Sequence, residues 1–153
     1  MPERFQGRRL PAIMYAQPFE FAVAGILALA GLVMMIDPDT TPNSIDQMVW
    51  PWTWVFRGMS VIAGFLITAG LFRGKHRWGF GLEITGFILA GTVFLTYAAG
   101  IAETPGNPNA LLAGLTNLAV AAACYWKAYT LIIEAKQRLR LIRMMPITST
   151  TGD

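Results

Sequence analysis

Glu20, Arg57, Glu83 and Lys127 are ionisable residues lying within or at the edges of four long apolar stretches, which makes them the places where this chain could do chemistry. A charge facing lipid costs upward of ~3 kcal/mol near mid-bilayer, so such side chains usually turn toward protein or water. Two uses are open to them. Opposite charges can neutralise one another and fix the register of packed helices, or a set of ionisable groups can line a polar path for ions or protons. An acid and a base of opposite sign suit neutralisation better than a proton relay.

Helical spacing places each charge on a stripe of small residues, the surface that lets membrane helices approach closely. Glu83 lines up with Gly86, Ala90 and Phe94, and Lys127 with Ala123, Val120, Thr116 and Ala113. Arg57 shares a face with Ser60, Gly64 and Thr68; Glu20 aligns with Ala24, Ala28 and Gly31, a stripe interrupted by Leu27. Gly64, Gly86, Ala90 and Ala123 are therefore expected packing positions. Glu83 and Lys127 lie at similar distances from the ends of their stretches, which predicts that they pair, with Glu20 as the alternative partner for Lys127. Arg57 begins its stretch at the opposite end, where it is expected to reach phosphates or to meet Asp46 or Glu103.

The elements that must carry these residues are four helices, expected over about 19–36, 55–72, 79–101 and 110–133, each near the ~20 residues that cross a bilayer core. Pro18 breaks the lead-in to the first. Asp37, Pro38 and Asp39 stop it, Pro105 to Pro108 separates the third from the fourth, and Asn109 is a candidate cap for the fourth. Residues 134–153 form a basic tail whose first part, 134–143, reads as a helical extension, a short basic C-terminal helix with Leu139, Leu141 and Ile142 giving it an apolar side suited to a membrane surface. The whole chain reads as one all-α membrane domain, an antiparallel bundle of four transmembrane helices.

Basic residues occupy every other gap. Arg4, Arg8 and Arg9 precede the first stretch, Arg73, Lys75, His76 and Arg77 join the second to the third, and Lys136, Arg138, Arg140 and Arg143 follow the fourth. The other two linkers carry acids: Asp37, Asp39 and Asp46 in one, Glu103 in the other. The positive-inside bias then predicts both termini in the cytoplasm of a multi-pass protein of the bacterial inner membrane. Trp50, Trp52 and Trp54 on one side and Trp78 on the other suit the headgroup boundary, each indole being apolar with one polar N–H. An arginine-led apolar start also resembles a signal peptide, but the run continues past Ala30 to Ile36, which favours an uncleaved first span.

Composition narrows the function classes. With 54% hydrophobic and 14% charged residues and a mean hydropathy of +0.46, the chain has more apolar surface than a soluble domain can hide. The net charge of +3 flanks apolar runs instead of forming one patch, so anionic lipid is the expected partner and nucleic acid is not. One histidine, His76, and one cysteine, Cys124, supply neither a catalytic set nor a metal or haem site. Gly79, Gly81, Gly86 and Gly91 fall within an apolar helix, where glycine serves packing and not phosphate binding. No enzyme activity and no cofactor are expected.

Arg57-Gly58 at the start of a span, Arg77-Trp78-Gly79 followed by Glu83 and Gly86, Tyr97 late in that helix, and Trp126-Lys127-Ala128 together resemble small four-span membrane proteins of actinobacterial phages. The similarity covers about 57–128. That group includes holins and membrane proteins of unassigned role, and it brings no established functional residues. The resemblance implies a holin-like protein that oligomerises and permeabilises the inner membrane. The alternatives are a structural or accessory subunit of a larger membrane complex, or a phage exclusion or defence protein.

Overall fold

A computed structural model describes residues 17–42, 45, 52–73, 77–102 and 108–144. Four helices carry the fold: α1 (Pro18–Ile36), α2 (Trp52–Arg73), α3 (Arg77–Ala102) and α4 (Pro108–Met144). All four are long and apolar enough to cross a membrane by length and composition, as expected of a multi-pass membrane protein. They overrun the expected boundaries by a few residues at most, except at the end of α4.

Local chemistry explains the helix ends. Pro18 stands in the first turn of α1, where its missing N–H costs no hydrogen bond and its fixed φ suits the helix. At the other end the Asp37 N–H still reaches the Val33 carbonyl, and the chain turns through a single 3₁₀ turn, Pro38–Thr40. Thr40 Oγ1 donates to the Asp37 carbonyl at 2.7 Å, while Asp37 Oδ1 accepts from the Asp39 N–H at 3.3 Å. α4 begins at Pro108, so Asn109 lies inside its first turn and not at its cap.

The helices pack in chain order, α1 on α2, α2 on α3 and α3 on α4, and successive helices run antiparallel. Glycines set how closely they approach. A Cβ built on Gly64 would stand 2.6 Å from the Ala28 nitrogen and 2.7 Å from the Ala24 carbonyl oxygen, so α2 presses directly on the α1 backbone. Gly31 meets Val61 in the same seam, and Gly86 meets Ile67 between α2 and α3. With no water to expel from between them, membrane helices associate through this kind of close contact. α2 and α3 are the most enclosed helices, α1 and α4 the least.

The core collects Leu27, Ala63, Ile67, Phe87, Ala90 and Cys124, and the other two small positions expected on α2 and α3, Gly64 and Gly86, are buried with them. Leu27 is buried on the Glu20 face, whereas Phe65 and Leu112 point outward. The expected face of α4 is corrected by rotation. Its buried stripe is Ala121, Cys124, Ala128 and Leu131, and Ala123 is only half-buried at its flank. The physical reason is that α4 packs against one neighbour, α3, so its contact face is narrow and a single residue's offset moves Ala123 to the edge.

The start of the basic tail is helical, as expected. No break separates it from the fourth span: α4 runs continuously for 37 residues, about 55 Å at 1.5 Å per residue. Residues 134–140 contain neither glycine nor proline, so nothing in the chain interrupts the helix there. Arg138 lies over the Phe80 ring at 5.4 Å, and its Nη2 pairs with Glu134 at 3.2 Å one turn earlier.

Candidate functional site

Lys127 reaches across the bundle to Glu20. Its Nζ lies 2.5 Å from Glu20 Oε1, joining the last helix to the first. Glu20 sits in the first turn of α1, where the positive end of the helix dipole favours a carboxylate. Its side chain is buried, and that of Lys127 is 27% exposed. Arg138 lies 11 residues further along α4, roughly 16 Å, so the ammonium is rooted about half an apolar-layer thickness below the basic end. A single long lysine stem thus spans a gap that the α1 and α4 backbones do not close.

The expected Glu83–Lys127 pair is therefore replaced by the alternative, Glu20–Lys127. Register is the reason. Gly91 packs against the Tyr125 ring and Phe80 against Arg138, which sets Glu83 opposite residues 133–135 of α4, about two turns from Lys127. Equal distance from the ends of two apolar runs does not give equal depth, because α4 extends beyond its apolar run. Glu83 is buried, with its Cβ and backbone against Gly70 at the α2–α3 crossing.

Arg57 occupies the other end of the bundle, at 3% exposure. It does not extend outward. Its Nη2 donates to the Pro38 carbonyl at 3.4 Å and its guanidinium lies 5.2 Å from the centre of the Trp54 ring. The Pro38 carbonyl also accepts from the Thr41 N–H at 3.1 Å, so Arg57 ties α2 to the turn that ends α1. Asp46 and Glu103, its expected partners, lie outside the described residues. So does Trp50. Trp52, Trp54 and Trp78 are 63%, 48% and 74% exposed, as side chains at a headgroup boundary would be.

The four charges thus occupy three places, and two of them meet. The hydroxyls in the helices are mostly used locally: Ser60, Thr68, Thr96 and Thr116 each donate to the carbonyl four residues earlier. Such back-bonding satisfies a polar group without a partner helix and does not form a relay. Thr92 also meets the Tyr125 hydroxyl at 3.1 Å across the α3–α4 seam. Tyr125 and Thr41 were not singled out by sequence reasoning. The glycine at position 91, opposite an aromatic at 125, was the available signal for the first; Thr41 carried none.

Arranged this way, the charges can fix helix order at one end and bind an acceptor at the other. Comparison with protein-family models, curated proteins and solved structures returns no match.

Proposed function

We propose that this chain is a non-enzymatic, holin-like protein of the bacterial inner membrane, with four spans and both termini cytoplasmic, which assembles with copies of itself to permeabilise the bilayer. The observation that carries the reading is the Glu20–Lys127 pair. It links the first and last helices where they lack the close backbone packing of the other seams. An ion pair at an edge can be remade between neighbours: Glu20 of one copy can take Lys127 of the next with no new chemistry. In a ring of such copies each charge stays neutralised, so the exchange avoids leaving a bare charge in lipid.

Exposed Arg73, Lys136, Arg138 and Arg140 at the basic end would hold anionic headgroups on the cytoplasmic side. Expression in a bacterial host with a co-expressed endolysin tests the function. Abrupt loss of membrane potential followed by lysis is expected, and harmless accumulation would sink the proposal. Charge-reversed copies test the mechanism: Glu20→Lys and Lys127→Glu should each assemble poorly alone and recover when co-expressed. A partner of different sequence co-purifying at fixed stoichiometry would instead identify an accessory subunit.

A further inference from the structure

We propose that Arg57 and Thr41 form a seat for a phosphate-class oxyanion at the end of the bundle where α1 turns toward α2. Both side chains are more than nine-tenths buried, and Arg57 Nε and Thr41 Oγ1 have no hydrogen-bond partner. The two residues share one backbone acceptor: the Pro38 carbonyl accepts from the Thr41 backbone N–H at 3.1 Å and from Arg57 Nη2 at 3.4 Å, which brings the Thr41 main chain and the guanidinium to the same turn. The Trp54 ring, 5.2 Å from the guanidinium, covers one side of the group.

The charge decides what the seat takes. A guanidinium carries five N–H donors, and here one makes a long bond to a neutral carbonyl. Among the described residues no carboxylate pairs with it; Asp37 Oδ1 accepts instead from its own turn, and both Asp37 and Asp39 are exposed to solvent. A water molecule could satisfy a donor but would leave the buried positive charge without compensation. A phosphate oxygen pair answers both needs, because the planar edge of Arg matches it bidentately and the Thr hydroxyl can donate a further bond. Half-exposed Trp54, with exposed Trp52 beside it in sequence, marks this as a headgroup-level position, so the phosphate can belong to a phospholipid or be free in solution.

The test uses the full chain purified in a non-ionic detergent, titrated separately with phosphatidylglycerol and with inorganic phosphate. Apparent affinity is read from the shift in melting temperature, and retained lipid per chain from native mass spectrometry. Wild type should bind one or both ligands. Arg57→Gln should weaken that binding about tenfold or more, and Thr41→Val by a few-fold. Protection by phosphatidylglycerol alone identifies a lipid headgroup as the source; equal protection by inorganic phosphate identifies the free ion. The exposed basic end also attracts anionic lipid, so the decisive quantity is the difference between wild type and variant. Equal affinities in wild type, Arg57→Gln and Thr41→Val would overturn the proposal, as would no binding by wild type. Thr41→Val alone decides the matter if Arg57→Gln does not fold.

Discussion

Gly64 lets α2 approach α1 until an added Cβ would stand 2.6 Å from the Ala28 nitrogen, whereas α1 and α4 meet through the tips of Glu20 and Lys127. The first contact is backbone against backbone and has no freedom to adjust. The second ends in two side chains with several rotatable bonds. Contact between helices can therefore be secured in two ways: by removing side chains until main chains touch, or by extending them until charges meet. The former fixes geometry, and the latter permits the partner to be changed.

The largest effect should come from filling the glycine seam. Gly64→Leu would push the α1 and α2 backbones apart, with a loss of about 3 kcal/mol or more, seen as failure to accumulate folded protein or a collapse in melting temperature. A wild-type melting curve for Gly64→Leu would show that the seam is softer than its geometry implies.

Breaking the ion pair comes next. Glu20→Gln or Lys127→Met alone should cost about 2 kcal/mol, below the full value for a buried pair because Lys127 is partly exposed. The two together should be milder than their sum by about 1 kcal/mol, while Glu83→Gln with Lys127→Met should be additive within about 0.5 kcal/mol. A double-mutant cycle with coupling on Glu83 instead of Glu20 would reverse the assignment.

Gly91→Ala tests a seam of intermediate stiffness, since its Cβ would meet the Tyr125 ring at 2.9 Å and a side chain can yield where a backbone cannot. A loss of about 1 kcal/mol is expected, reduced in a Tyr125→Leu background. The smallest effect is reserved for Gly25→Ala and Gly81→Ala. Nothing lies within 4 Å of either added methyl, so stability should change by less than about 1 kcal/mol, in the stabilising direction that alanine's helix preference favours. A large loss at either position would mean that another surface packs there, as it would in an assembled ring.

Much of this fold was legible along the chain, because hydropathy is summed locally and a helix needs no distant partner to satisfy its backbone. The turn at Asp37 to Asp39, the start at Pro18 and the packing roles of Gly64, Gly86 and Ala90 all follow from residue type and spacing. The site was less legible. Lys127 was recognisable as a buried-type charge needing an acid, but Glu20 and Glu83 offered the same chemistry at similar positions. Thr41 gave no sign, since a threonine after a turn is ordinary until its surroundings are known.

By itself the sequence determined that there are four long apolar helices, where each lies to within a few residues at its start, and which charges must be shielded, for these depend on neighbours within a turn or two. Tertiary structure decided which acid Lys127 meets, how far α4 is rotated on α3, and that Arg57 turns inward beneath Trp54. Those outcomes depend on the register of whole helices. Register is set by where glycines let backbones touch, and that information belongs to pairs of helices, not to either one alone.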